Sequence, residues 1–255
     1  MQPPSPRYTG YKSFGYLEPG RDYKEFKLSP ETGRVPPYRL GLSAAQQERA
    51  SRLLVGSIAI SLHDHPTVCP EDMTQALDVA RTGRQRTGYE GLDVIEASRV
   101  PVLITHAGAR AVWGSARMKP DSVIRACAER GGVIGIEAAP HTTLSPGHPR
   151  HSLESVMDHF TYCVGLVGIE HVTFGPDTMF GDHVALHHVF AEHLSIAQAR
   201  GGLDFPEVEY VDGLENPAEC FGNIVGWLVQ HDYSDGEIKA VIGGNTLRVL
   251  EDVWR

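Results

Sequence analysis

Val102-Leu103-Ile104-Thr105-His106, Val133-Ile134-Gly135-Ile136 and His171-Val172-Thr173-Phe174-Gly175 recur as short apolar runs, and the residues between them decide the fold. After the first run, Pro120 suits a first helical position, and Val123, Ile124 and Cys127 form an apolar stripe that Gly131-Gly132 stops. After the second, a helix is predicted from near Ser152, with Leu153, Val156, Met157, Phe160 and Val164 at helical spacing. Strands that alternate with helices pair in parallel through right-handed crossovers, so the predicted class is α/β: a parallel sheet or a (β/α)8 barrel.

Upstream, Ser43-Ala44-Ala45-Gln46 has the form of a capping box and opens a helix predicted to reach about Leu54. The apolar run Leu53 to Leu62 then ends on His63-Asp64-His65, which is predicted to lie on a strand. Downstream, a histidine-rich helix is expected from about Asp182 to Ala199, and Ser234-Asp235-Gly236-Glu237 opens another that ends at Gly243-Gly244. Residues 1–41 are rich in Pro, Gly and Tyr without periodicity and read as an extended arm; residues 42–255 read as one domain.

The chain has 255 residues, 41% hydrophobic, enough for a substantial core. A net charge of −9 offers no basic surface for a phosphate backbone, so small molecules are the expected partners rather than nucleic acid. No run is long and apolar enough to span a bilayer, and Met1 to Arg7 lacks an apolar signal core, so a cytoplasmic location is expected. Cys69, Cys127, Cys163 and Cys220 lie far apart with no C-x-x-C spacing and read as reduced packing residues.

Chemistry in α/β proteins sits where strands end, and four candidates do: His63 and His65, His106, and Asp177. Positions i and i+2 of a strand share a face, so His63 and His65 can converge on one ion. Imidazole with carboxylate suits zinc or a similar divalent ion, which lowers the pKa of bound water. Each residue alone is equally an ordinary polar group at a strand end. Arg117, in the loop after the His106 strand, has the planar guanidinium to grip a carboxylate; a plain surface arginine fits as well. His183 and His187, four apart on a helix without H-E-x-x-H, read as solvated. His141, His148 and His151 border a pocket in the alternative reading, with Glu137 a spare ligand.

Val102 to Ala109, followed by Arg117-Met118-Lys119-Pro120-Asp121, resembles the membrane (renal) dipeptidase family of the amidohydrolase superfamily. So does the stretch His171 to Asp177, and so does Gly213-Leu214-Glu215-Asn216 through Tyr233-Ser234-Asp235-Gly236-Glu237 to Gly243-Gly244-Asn245-Thr246-Leu247-Arg248-Val249-Leu250. The resemblance implies a TIM-barrel-like metal-dependent hydrolase that cleaves dipeptides with zinc. It assigns His63, His65, His106 and Asp177 to the metals, Asp177 also to the proton of the attacking water, and Arg117 to the substrate carboxylate. Where many members have H-x-D, this chain has H-x-H.

Only 40 residues separate His65 from His106, room for one helix rather than the four further strands of a full barrel. The break falls near Tyr89-Glu90-Gly91-Leu92, so the fold expected is an incomplete (β/α)8 barrel lacking the strands between the first and the sixth. Since the first and eighth strands of a barrel are neighbours, the remainder can pair as sixth, seventh, eighth, first. His63, His65 and Asp177 would then hold one zinc, and a second would keep only His106. Two open sheet edges predict weak stability and a tendency to form homo-oligomers. The expected activity is therefore an impaired zinc dipeptidase. The alternatives are a mononuclear amidohydrolase acting on a lactone or ester, and an inactive truncated chain that binds metal.

Overall fold

Three parallel strands, β2 (Leu103–Ala107), β3 (Val133–Ile136) and β4 (Val172–Phe174), form the main sheet in the order β2-β3-β4. The structure, a computed structural model, describes residues 18–20, 25–68, 71–74, 95, 98–115, 117–140, 142–186, 188 and 208–254. Helix α2 (Asp121–Glu129) crosses from β2 to β3, and α3 (Leu153–Val167) from β3 to β4, as the alternation predicts. Gly131, at φ 77°, makes the turn out of α2, and the Ser152–Ser155 capping box opens α3. The class is α/β with a small parallel sheet. Among the described residues the sheet has three strands, and a complete barrel is not formed.

The core lies between this sheet and its helices. Phe160 of α3 stacks on Phe174 of β4 with ring centroids 5.2 Å apart, and Val156, Met157, Cys163, Ile134, Ile136 and Val172 are buried around them. Burial pushes the thiols of Cys127 and Cys163 up to about 11 and about 12, so both are inert packing residues, as expected; Cys69 lies outside the described residues. Helix α1 (Ala44–Val55) begins at the Ser43–Gln46 capping box and packs on α4 (Cys220–Gln230). Arg49 of α1 donates to Asp235 at 2.8 Å, where α5 (Asp235–Lys239) starts.

Two expectations need correction. The run Leu53 to Leu62 is not one strand. Leu53, Leu54 and Val55 complete α1, Gly56 caps it, and residues 58–60 have no regular secondary structure; the segment is held by single tethers, Ile60 N–H to the Ile242 carbonyl at 2.7 Å and Leu62 N–H to the Phe174 carbonyl at 3.0 Å. The segment thus lies beside β4, where a first strand would, but its bonds go to two different elements and no ladder forms. Strand β1 (His65–Val68) starts later and pairs in parallel with β5 (Met179–Phe180) in a separate two-stranded sheet.

The second correction concerns Gly243-Gly244, which does not end the C-terminal helix. Helix α5 runs through a π-helical turn, Ala240–Gly244, directly into α6 (Asn245–Val253). A Cβ on Gly243 would lie 2.2 Å from the Ile58 carbonyl oxygen, so the glycine is there to let residues 58–60 approach the turn. The first part of the arm, residues 1–17 and 21–24, lies outside the described residues, as does the break near Tyr89 and most of the histidine-rich helix; residues 183–186 and 188 are helical.

Candidate metal centre

The C-terminal edge of the main sheet gathers His106 from β2 and Asp177 from the loop after β4, and the tethered segment brings His63 to them. Each offers one ligand atom, and these three atoms lie within 4.8 Å of one another. The backbone enforces the meeting. Asp177 N–H donates to the His63 carbonyl at 2.8 Å, while Thr178 N–H and Oγ1–H donate to Asp64 Oδ1 at 2.8 and 2.5 Å. Residues 63–64 are thereby fastened to 177–178. Asp177 itself sits at φ 60°, a left-handed conformation that aspartate tolerates better than most residues but adopts only when its surroundings hold it there. Burial pushes the Asp64 carboxyl up; the hydrogen bonds from Ser61 and Thr178 oppose that shift, and the Asp177 charge adds to it.

The donor set suits a divalent cation. His63 Nε2 is 3.2 Å from Asp177 Oδ1, close to the ~3.3 Å edge of a tetrahedron with bonds of 2.0–2.1 Å. The His63 and His106 rings stack at 3.8 Å with planes 13° apart, so their in-plane lone pairs can point in one direction. His106 Nδ1 is 2.8 Å from Thr105 Oγ1; with the Nδ1 proton on that hydrogen bond, the lone pair falls on Nε2. Asp177 is buried and both imidazoles are half-buried, so an ion here would be shielded on one side and open on the other.

His63, His106 and Asp177 therefore form one group, rather than His106 standing apart for a second ion. The backbone of His65 opens β1, and its side chain lies outside the described residues. The Arg117 guanidinium pairs with a buried acid beside this group. Its Nη2 is 2.9 Å from Oε2 of Glu137, whose carboxylate has no solvent exposure and also accepts the Thr142 hydroxyl at 2.6 Å. An unpaired carboxylate so deeply buried would cost several kcal/mol, and Arg117 offsets that cost.

One residue was misread and one underrated. His183 is buried, not solvated: its Nε2 is 4.0 Å from Asp177 Oδ2, on the side of the carboxylate away from His63. Its position six residues after Asp177 is the available signal; the four-residue spacing to His187, which lies outside the described residues, points instead to a solvated helix pair. Glu137, at the end of the middle strand, anchors Arg117 rather than standing spare. The loop histidines have structural partners: His148 Nδ1 is 2.7 Å from Asp158, and buried His151 Nδ1 is 3.0 Å from the Thr143 carbonyl. His141 lies outside the described residues. His159, which sequence reasoning passed over, accepts Ala109 N–H at Nδ1 (3.0 Å) and donates from Nε2 to the Leu144 carbonyl (2.8 Å), pinning the loop that follows β2.

Residues 77–191 match the family model described as membrane dipeptidase (peptidase family M19). Over that stretch the chain is similar to the membrane dipeptidase family. Among curated members it is 27% identical over 160 residues to dipeptidase aclJ of Aspergillus oryzae and 26% identical over 164 residues to dipeptidase 3 of Homo sapiens. Each alignment takes in 63% of this chain, but only 32% and 27%, respectively, of those relatives. The chain thus spans about a third or less of the length of these curated dipeptidases. Among solved structures, an amidohydrolase from Pseudomonas aeruginosa superposes with a TM-score of 0.52 at 22% identity, over 64% of this chain and 48% of that one, a likeness of fold.

Proposed function

We propose that this chain is a zinc-dependent dipeptidase of the membrane dipeptidase type, built on an incomplete TIM-barrel-like fold. The observation that carries the reading is the convergence of His63, His106 and Asp177 on one sheet edge. His63 and His106 would supply imidazole nitrogens to the ion and Asp177 a carboxylate oxygen, with His65 a further donor. When bound there, zinc would supply a Lewis acid and lower the pKa of a coordinated water toward neutrality. Asp177 would take the proton of the attacking water and pass it toward the leaving amine. Arg117 receives the substrate's free carboxylate, which sets the scissile bond at a fixed distance from the ligand group. The curated relatives are named dipeptidases, which supports a dipeptide over the lactone or ester reading. Self-association would cover the exposed apolar side chains of Ile58 and Trp254, and a cytoplasmic location fits the reduced cysteines.

Metal analysis of the purified protein with a dipeptide hydrolysis assay tests this reading. Zinc close to one ion per chain, with both zinc and turnover lost in His63→Ala, is the expected result. Ester turnover without dipeptide turnover would move the assignment to the lactone class. Absence of both metal and turnover would leave only the ancestry.

A further inference from the structure

Glu137 occupies a place that the metal ligands alone do not explain. It follows the middle strand β3, between the two strands that carry His106 and lead to Asp177: Glu137 N–H donates to the Ala107 carbonyl at 3.2 Å, and Ala138 N–H to the Pro176 carbonyl at 2.7 Å. Its carboxylate is fully buried, held at one oxygen by Thr142 and at the other by Arg117 Nη2. Arg117 is partly open to solvent, and its Nε and Nη1 have no partner among the described residues. The loop bearing it is fastened at its base, where Lys119 N–H donates to the Gly108 carbonyl at 2.9 Å and Arg110 N–H to the Lys119 carbonyl at 2.8 Å. Burial, and next the Arg117 charge, pushes the Lys119 ammonium down, so a second cation stands in the same corner. One buried acid thus faces two cations, Arg117 and Lys119, at the sheet edge that also carries the ligand group.

Resting on the dipeptidase reading of Arg117, we propose that Glu137 is a positioning residue: it holds the Arg117 guanidinium by Nη2 so that the remaining N–H donors, with Lys119 beside them, receive a small substrate's free carboxylate. A guanidinium has five donors in a rigid fork, so one anion can fix its plane while another is bound. A freely rotating arginine would bind the carboxylate with less selectivity, since its fork would have to be ordered on each encounter.

The test compares binding of alanine of either hand, a product-like carboxylate that cannot turn over, with binding of alaninamide, to the zinc-loaded protein and to Glu137→Gln. The variant keeps the shape and removes the charge. Expected is about tenfold weaker alanine binding in Glu137→Gln, alaninamide binding and zinc content unchanged, and in the hydrolysis assay a similar rise in KM with kcat within about twofold. Unchanged alanine binding in the variant overturns the proposal. So does a parallel loss for alanine and alaninamide, or a wild-type protein that does not tell the two apart. Should Glu137→Gln not fold, Thr142→Val frees one carboxylate oxygen while leaving the ion pair, with about a threefold loss for alanine alone expected and no loss overturning the idea. Selective, Glu137-dependent alanine binding by a wild-type protein that hydrolyses no dipeptide would sink the dipeptidase reading and leave this one standing.

Discussion

His183 is the side chain whose role changes most between sequence and structure. Buried 4.0 Å from Asp177 Oδ2, it lies beyond hydrogen-bond reach yet within range of the carboxylate's charge. Groups that surround a ligating carboxylate tune its hold on a metal. His183→Ala is accordingly expected to weaken zinc binding by about tenfold, measured by competition with a chromophoric chelator. An affinity equal to wild type would reduce His183 to packing. His159 leads to a pH prediction. Burial pushes its pKa down, and its Nδ1 already accepts Ala109 N–H, so a proton there would meet another donor. Above its unfolded pKa of about 6.5 both states are neutral and its full stabilisation is present. As pH falls below that value the unfolded chain binds the proton first, and stability drops until the depressed folded pKa is passed. The urea midpoint of the wild type relative to that of His159→Gln, whose amide can reproduce both bonds, should fall from pH 7 through 6 to 5.

Capping boxes were the most legible elements. Ser43 and Ser234 start helices with the reciprocal bonds their four-residue patterns predict, while Ser152, expected only as an approximate helix start, closes a box with Ser155 that no Glu or Gln announced. Glycines were read less well, because a helix stop and a close approach look the same in sequence. Gly243 is the instance: nothing near it in the chain indicates that Ile58 crosses 185 positions away. Gly243→Ala is expected to cost about 2–3 kcal/mol in chemical denaturation, because backbone must move. The contrasting case is exposed Gly222 in α4, where an added Cβ meets nothing within 4 Å; Gly222→Ala should gain about 0.5–1 kcal/mol. Equal effects at the two sites would contradict the close-approach explanation.

At the level of the whole molecule, two buried titrating sites pull stability in opposite directions. Glu215, nearly buried, is pushed up to about 7 by burial and then by its hydrogen bond with Glu219, and Asn216 Nδ2 donates to both carboxyls at 3.0 and 2.6 Å. Its unfolded value is 4.5, so the folded chain keeps the proton longer; that contribution is complete below 4.5 and is lost as pH rises through about 7. His159 acts with the reverse sign below about 6.5. Between these limits the wild-type profile should be flatter than either variant's. Glu215→Gln is expected to leave stability rising with pH, and His159→Gln to leave it falling, both read from denaturation midpoints in one buffer series. A steep wild-type profile with neither variant altering it would remove both sites from the account.

The sequence by itself determined the alternation of β2, α2, β3, α3 and β4, the parallel class, the helix starts and the polar residues at strand ends. Each of these is a local pattern: apolar periodicity, a cap, a side chain at the end of a run. Only tertiary structure decided that His106 joins His63 and Asp177 in one group, that Glu137 holds Arg117, and that His183 is buried beside the carboxylate. It also decided that Leu53 to Leu62 divides into a helix end and a tethered segment, since strand formation depends on a continuous partner and here the bonds are shared between Ile242 and Phe174. The physical reason is the same throughout: contacts between residues far apart in the chain are set by where the sheet edge brings them, and no local pattern encodes that meeting.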